Sequence, residues 1–418
     1  MITKELRWAG AVTMLLLVTI SYIDRINIAV LITDKSFLEH MHIAASDRAS
    51  QGFLATAFML GYGISAFLFT PFCVTLFGVR KGLIGGLVVW GGVTAMSPLF
   101  TNYETLLVSR LLLGFAEGPL FSLASSYIKS HFEDHENGRP NSFVNMGTGL
   151  GLAIGFPFVG LIMASYHWEM SFVLLGALNI IVGVPLVLAF IRMPHFGPKY
   201  DSKPRSLGDA FGRVAEIFRG ATHTRHVWLM TVMTCAFLAY LWGSSSWLPS
   251  YLKEARGFSL REMGWLASLP QYAAMVAVLI GGFIIDKLER RQVPLIFMAS
   301  AVGVSACVMG AINVADPYVA TYCLIGANFC WGLASPAFPS TVQYCARPEH
   351  AGSAFGVVNG IGSLAAGLMP AVMGSVIGSV TASSGSAAGF YAGFAALIGT
   401  QALVFVCGGI LLRGERNA

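Results

Sequence analysis

The chain has 418 residues, of which 55% are hydrophobic and only 11% carry a formal charge. Soluble domains usually contain about 25% charged residues, so this composition excludes an ordinary soluble protein. With 47 glycines and a mean hydropathy of +0.68, it is typical of a protein with many transmembrane helices.

Twelve apolar stretches are long enough to cross a bilayer as helices. In chain order they are 8–32, 50–72, 82–100, 104–128, 142–165, 171–191, 226–251, 262–285, 294–313, 317–342, 353–377 and 389–412. A polar, basic stretch separates the sixth from the seventh. We therefore predict an all-α membrane protein with an N-terminal six-helix bundle at 1–191, a cytoplasmic linker at 192–225 and a C-terminal six-helix bundle at 226–418.

Lysine and arginine are distributed unevenly between the two sets of loops. If the N-terminus is cytoplasmic, most of the 26 basic residues lie on the cytoplasmic side. The outer loops hold Lys35, Arg48, Lys253, Arg256 and Arg261. The positive-inside rule favours this orientation, so the net charge of +5 is a topology signal and nucleic acid is not expected as a partner. We expect a multi-pass protein of the cell inner membrane with both termini in the cytoplasm.

The two halves carry similar features at corresponding places. Asn145 opens a glycine-rich stretch that reaches Pro157, and Asn359 opens another that reaches Pro370. A basic turn follows the second span and another follows the eighth span. The number of residues between these two turns is similar to the number between Asn145 and Asn359. Glycine-rich helices could resemble each other by composition alone, but the agreement between helix and loop favours an internal six-helix repeat. Parallel repeats of this kind are known in transporters.

The first span contains an acid and a base, Asp24 and Arg25, at a depth where a charge costs about 2.5–3.5 kcal/mol or more. The fourth span adds Arg110 and Glu117. Adjacent helix residues do not face each other, so mutual pairing does not explain both Asp24 and Arg25. All nine histidines lie in loops or near span ends. Asp24 and Glu117 are therefore the predicted proton-coupling residues, because burial favours the protonated form of a carboxyl group.

Arg25 is the predicted ligand for an anionic substrate, because a guanidinium binds a carboxylate through two parallel hydrogen bonds. The alternative is that Arg25 only neutralises Asp24 or Glu117. Arg110 has an equally plausible structural role near the outer end of its span. The second half offers neutral polar groups, which suits a substrate with one anionic end and a polar body.

Three stretches resemble the anion:cation symporter branch of the major facilitator superfamily. They are Tyr22 to Asn27 in the first span, Ser109 to Pro119 in the fourth and Trp247 to Leu252 in the seventh. The resemblance implies the major facilitator fold, with two six-helix bundles related by a pseudo-twofold axis.

The same resemblance implies further hydrogen-bonding groups for the substrate. These are Tyr22, Tyr62, the Asn145–Thr148 face of the fifth span, and Asn359. Trp331 and Ser335 on the tenth span are candidates for lining the second half of the site, with packing as the alternative.

The loop after the eighth span resembles the cytoplasmic loop signature of the superfamily. It contains Asp286 and Arg290, with Glu289 where a second glycine is usual. The resemblance implies that Asp286 and Arg290 take part in gating. The loop after the second span keeps Arg80 and Lys81 but lacks the acid, and an ordinary positive-inside loop explains those two residues equally well.

The deep charges and the family resemblance together predict a secondary transporter that imports a small organic anion by proton symport and alternating access. The resemblance implies a sugar acid as the expected substrate. The alternatives are an exchanger or facilitator without proton coupling, a carrier of an aromatic carboxylate, or a membrane-embedded sensor. The sequence shows no nucleophile–base set, metal-ligand cluster or phosphate-binding loop, so neither enzyme activity nor a cofactor is expected. The expected partners are the carboxylate, protons and the bilayer, and the expected functional unit is a monomer.

Overall fold

The structure is a computed structural model that describes residues 4–69, 73, 77–132, 138–192, 212, 225–285, 287–345 and 351–416. The helices of the first half are α1 (Lys4–Leu31), α2 (Lys35–His40), α3 (Arg48–Ile64), α4 (Gly78–Met96), α5 (Tyr103–Glu117), α6 (Leu120–His131), α7 (Gly138–Ser165), α8 (Glu169–Ala177) and α9 (Val184–Phe190). Those of the second half are α10 (Arg225–Ser250), α11 (Leu260–Ile285), α12 (Val293–Asn313), α13 (Pro317–Ala334), α14 (Ala337–Cys345), α15 (Ala351–Ala366), α16 (Met369–Ser384) and α17 (Ser386–Arg416).

The described residues contain no β-strand, and the all-α prediction is confirmed. Ten helical segments within the described ranges are long and apolar enough to cross a membrane. The two other predicted spans are also helical where they are described: α3 continues into a π-helical segment, Ser65–Phe69, and α13 is followed by α14. The chain is therefore a multi-pass membrane protein with the predicted twelve spans.

The chain divides into two compact units. The first comprises Met1–Ala45 and Ala57–Leu207, and the second comprises Ser46–Thr56 and Gly208–Ala418. The first turns of α3 therefore belong to the second unit, although the rest of that helix belongs to the first. Nearly all of the predicted linker, 192–225, lies outside the described residues, so the predicted linker and bundle boundaries stay a prediction.

In the first unit, α1 packs along α7, and α4 packs against α5 and α8. The crossing of α3 and α5 is reciprocal. A Cβ atom at Gly114 would overlap the main-chain oxygen of Phe58, and one at Gly61 would overlap that of Leu111. Small residues that let two backbones touch are a common device for packing membrane helices. Here they bring the aromatic side of α3 against the part of α5 that carries the deep charges.

The second unit repeats this packing with its own helices. α10 lies along α15, α12 along α17, and α11 along α13. At the crossing of α11 and α13, a Cβ atom at Gly281 would overlap the main-chain oxygen of Leu333. Gly332 meets the main chain of Ala274 in the reciprocal way. The predicted internal repeat thus extends from sequence to backbone contacts.

Candidate functional site

The centre of the first unit holds a buried ion pair between Arg25 of α1 and Glu117 of α5. The Nε and Nη2 atoms of Arg25 donate to Oε1 of Glu117 at 2.8 and 2.6 Å. The hydroxyl of Ser21, one helical turn before Arg25, donates to the same oxygen. Oε2 of Glu117 has no hydrogen-bond partner among the described residues. One carboxylate oxygen therefore accepts three hydrogen bonds while the other accepts none within the described part of the chain.

A helix break positions Glu117. α5 ends at Glu117, Gly118 follows, and Pro119 is the N-cap residue of α6. Proline has no backbone N–H and its ring blocks the preceding helical turn, so an interruption here is expected. A Cβ atom at Gly118 would lie 2.7 Å from Cβ of Ser65, so only glycine lets the break approach the π-helical segment Ser65–Phe69 this closely.

Three aromatic rings surround the guanidinium of Arg25. Its Cζ atom lies 4.2 Å from the ring centroid of Tyr22, 4.4 Å from that of Tyr62 and 5.2 Å from that of Phe58. Cations within about 6 Å of an aromatic centroid are attracted by the ring quadrupole. The faces of the guanidinium therefore contact rings, and its edge contacts Glu117. The two predicted tyrosines lie beside Arg25, in contact with its charged group.

Asp24 and Arg25, although adjacent in sequence, have different partners. Oδ2 of Asp24 accepts a hydrogen bond from Nδ2 of Asn179 at 2.6 Å. Oδ1 of Asp24 has no partner among the described residues. Only 1% of Asp24 is exposed. The two charges that are adjacent in sequence are thus held by two separate elements, α5 and the π-helical segment Leu178–Gly183 that joins α8 to α9.

Arg110 lies two turns before Glu117 on α5 and is also buried. Its Cζ atom lies 5.1 Å from the ring centroid of Phe58. Its Nε and Nη2 atoms have no hydrogen-bond partner within the described ranges, and its charge acts on both Asp24 and Glu117. A buried guanidinium with N–H groups that lack a partner in the described ranges is a candidate anion ligand, and the choice between this role and a structural one for Arg110 stays a prediction.

The other predicted polar residues do not join this cluster. Asn145 is exposed on α7, and the hydroxyl of the half-buried Thr148 donates to the main-chain oxygen of Asn145 at 2.8 Å. Ser335 is half-buried in the turn between α13 and α14, and Asn359 is exposed on α15. Both of these belong to the second unit. Their predicted contacts with substrate stay predictions.

Trp331 packs within the second unit. Its ring stacks on Phe237 with the centroids 4.6 Å apart, and its Nε1 donates to the main-chain oxygen of Phe237 at 3.0 Å.

The side chains of the predicted gating residues are not among those that the structure describes. Asp286 and the side chain of Arg290 lie outside the described residues, and their gating role stays a prediction.

Three residues of the site were not predicted from sequence: Ser21, Phe58 and Asn179. Ser21 and Phe58 are common residue types in membrane helices, and only the crossing of α1, α3 and α5 shows their contacts. Asn179 did carry a signal. It is the one amide side chain in Glu169–Phe190, which has the highest mean hydropathy of the ten candidate spans found in the described ranges. A polar group in such a stretch calls for a functional or hydrogen-bonding explanation.

The cluster can change its charge by binding protons. With both carboxylates ionised, Asp24 and Glu117 balance Arg25 and Arg110. Each bound proton then leaves one uncompensated positive charge. An anion can restore neutrality, and the low dielectric of the interior makes that balance energetically important. The arrangement is suited to binding an anion together with protons.

Comparisons with known proteins agree with the fold. Residues 14–370 match the model of the Major Facilitator Superfamily. The chain is 30% identical over 289 residues to a probable sulfoacetate transporter of Cupriavidus necator, covering 66% of this chain and 64% of that protein, just under two thirds of its length. It is 27% identical over 394 residues to a D-galactonate transporter of Escherichia coli O6:H1, covering 87% of each chain.

Among solved structures, the fold resembles a bacterial homologue of the human lysosomal transporter Spinster in an inward-facing, unoccupied conformation. The TM-score is 0.82, with 16% sequence identity and 98% of both chains covered. At this identity the likeness concerns the fold alone. The family and the sequence relatives are transporters and not enzymes. With twelve spans, an internally repeated packing and a family match over most of its length, the chain belongs to the Major Facilitator Superfamily.

Proposed function

We propose that this protein is a secondary transporter that imports a small organic anion together with protons by alternating access. The observation that carries the proposal is the pair between Arg25 and Glu117. A guanidinium edge that could receive a substrate carboxylate is occupied by a carboxylate of the protein itself. Glu117 and an anionic substrate would therefore compete for Arg25.

Protonation decides that competition. A neutral Glu117 binds Arg25 more weakly than a carboxylate does, because protonation removes the Coulomb attraction between the two opposite charges, which is strong in a low-dielectric interior. Proton binding at Glu117 would then release the edge of Arg25 for the substrate. Deprotonation on the cytoplasmic side would restore the internal pair and expel the anion. Coupling of this kind needs no group beyond those already in the cluster.

Asp24 provides a second proton site in this proposal. It is buried and interacts with an uncharged amide, so its negative charge is balanced only at longer range by Arg110 and Arg25. With one proton bound to the cluster, a monoanion restores neutrality, and with two protons bound a dianion does. Proton number and substrate charge are therefore linked, and a sugar monoacid fits the first case.

The names of the relatives support a small organic acid as the substrate class. One relative is described as a carrier of galactonate and another as a probable carrier of sulfoacetate. We propose a sugar acid first, and aromatic carboxylates and small sulfonates as the other members of a test panel. A thermal-shift screen of the purified protein against these compounds would select among them. The proposed setting is the inner membrane, with both termini cytoplasmic and a monomer as the functional unit.

Uptake into proteoliposomes under an imposed pH gradient tests the proton step. Glu117→Gln should lose accumulation driven by the gradient, because the amide cannot release a proton. The same variant should keep counterflow of labelled substrate, because a neutral residue at 117 leaves Arg25 available. Glu104→Gln is the matched control, since Glu104 is an exposed acid in the first turn of the same helix.

Two results would count against this proposal. Full accumulation by Glu117→Gln under the gradient would remove the proton role of Glu117. Uptake by the wild type that is independent of the gradient, with counterflow intact, would favour an exchanger or facilitator.

A further inference from the structure

Asn179 occupies an unusual position for an amide side chain. It is fully buried within the most apolar of the candidate spans found in the described ranges. It also lies on the π-helical segment Leu178–Gly183. Single π-helical turns inside α-helices are rare and frequently mark functional sites. The transport scheme above, which needs Asp24 and Glu117, assigns no role to this residue.

The orientation of the Asn179 amide is fixed by its main-chain partner. Nδ2 donates to the carbonyl oxygen of Leu175 at 3.0 Å and to Oδ2 of Asp24 at 2.6 Å. A carbonyl oxygen accepts only, so the atom that faces Leu175 must be the nitrogen. Rotating the amide by 180° would place two acceptors together at Leu175. Asn179 therefore presents a donor to Asp24.

The neighbouring helix packs tightly against this arrangement. A Cβ atom at Gly91 of α4 would lie 2.9 Å from Cβ of Asn179, and Gly176 meets the same helix near Ala95. Glycine at 91 therefore lets α4 approach the backbone that carries Asn179. The Nδ2 atom of Asn179 is held toward the carboxyl group by the hydrogen bond to the main-chain oxygen of Leu175.

A donor in this position distinguishes the two forms of the carboxyl group. The ionised form accepts a charge-assisted hydrogen bond, and the protonated form accepts only a neutral one. The charged groups that act on Asp24 are Glu117 and Arg110 of α5 and Arg25 of α1. Glu117 opposes ionisation and the two arginines favour it. On the side of the π-helical segment, the amide of Asn179 makes the only hydrogen bond to Asp24 that the described residues provide.

We propose that Asn179 is a positioning residue for proton release, and that its amide sets the pH at which Asp24 gives up its proton. The inference rests on the proposed proton coupling through Asp24. Removing the donor should make Asp24 hold its proton to higher pH, so the pH profile of uptake should move in the alkaline direction. A hydrogen bond to a charged group is expected to move a midpoint by about one to two pH units.

The test measures initial uptake into proteoliposomes across a series of pH values. The variants are Asn179→Leu, Asp24→Asn and the double variant. Asn179→Leu should shift the midpoint upward in the wild-type background and should have no effect on the profile of Asp24→Asn. Gln401→Leu is the control, because Gln401 is an equally buried amide on α17 with a neutral hydrogen-bond partner, Thr400. It should leave the profile unchanged.

Folding is monitored by thermal unfolding of each purified variant. If Asn179→Leu does not fold, Asn179→Ser replaces it, since a serine hydroxyl is too short to bond both Leu175 and Asp24 and should shift the profile the same way. A folded Asn179 variant with the wild-type midpoint would overturn the inference, while the proton role of Asp24 would stand. An unchanged profile in Asp24→Asn would instead overturn the proton role itself, and the inference with it.

Discussion

Arg25 is held in a way that uses the shape of a guanidinium as well as its charge. Its faces lie near Tyr22, Tyr62 and Phe58, and two of its nitrogens bind one oxygen of Glu117. A lysine ammonium is a compact point charge that cannot stack and donate along one edge at the same time. In the proposed transport cycle, the stacked rings would keep the charge in place while its partner changes from Glu117 to a substrate.

Arg25→Lys should therefore reduce uptake strongly although the charge is kept. The loss of stacking and of one of the two parallel hydrogen bonds is expected to weaken substrate affinity about tenfold or more. Affinity is measured by ligand-dependent thermal shift of the purified variant, with uptake as the second readout.

The control for this change is Arg291→Lys. Arg291 also pairs with a glutamate, Glu289, but both side chains are exposed, at 71% and 61%. Exposed pairs contribute little, so uptake should be unchanged. Normal affinity in Arg25→Lys would show that only a positive charge is needed at this position, as expected for a residue that merely neutralises Glu117.

The deep charges could be predicted from sequence, and one of their partners could not. Helix geometry separates Asp24 from Arg25, and the structure gives them the separate partners Asn179 and Glu117. No local rule connects Asp24 with Asn179, because the two are 155 positions apart and meet only when their helices pack. Polarity in an apolar span could have singled out Asn179, but not its partner.

At the scale of elements, hydropathy located all twelve spans but not their interruptions. Hydropathy is averaged over a whole span, so one non-α-helical turn within the span changes the average very little. The spans 104–128, 317–342 and 353–377 are each broken where they were predicted as continuous, after α5, α13 and α15. In each case a proline lies at or just after the break, at Pro119, Pro336 and Pro370. The missing N–H of proline is the physical cause that the hydropathy pattern omits.

The crossing of α3 and α5 offers a test of how the site is assembled. Gly114→Ala should push the two helices apart, because the new Cβ would overlap the main-chain oxygen of Phe58 and would lie 2.8 Å from the backbone nitrogen of Tyr62. Overpacking of this kind costs about 1–3 kcal/mol. We expect a lower midpoint of thermal unfolding in detergent and weaker uptake, since Phe58 and Tyr62 move away from Arg25.

Gly92→Ala on α4 provides the comparison, because a Cβ atom there has no heavy atom within 4 Å among the neighbours described. Replacing glycine by alanine inside a helix favours the helix by up to about 1 kcal/mol, so this variant should be as stable as the wild type or slightly more so. Equal midpoints for Gly114→Ala and the wild type would mean that α3 and α5 tolerate separation.

At the scale of the whole molecule, α3 contributes to both compact units. Its first turns are joined to the second unit by a bidentate ion pair between Arg48 and Glu254. Nη1 of Arg48 donates to Oε1 of Glu254 and to Oε1 of Gln51, both at 3.0 Å, and Nη2 donates to Oε2 of Glu254. The backbones also touch, because a Cβ atom at Gly52 would overlap the main-chain oxygen of Pro370. A segment from the first half of the sequence thereby becomes an integral part of the second unit.

Glu254→Gln tests how much that ion pair holds the segment in place. Arg48 is only 8% exposed and Glu254 25%, so neutralising the acid leaves a largely buried cation with weaker partners. The expected loss is about 1–3 kcal/mol, measured as a lower midpoint of thermal unfolding in detergent. Glu39→Gln is the matched control, because Glu39 forms a 3.6 Å pair with Lys35 whose side chains are 67% and 88% exposed. If both variants unfold at the wild-type temperature, backbone packing at Gly52 must hold the segment without help from the ion pair.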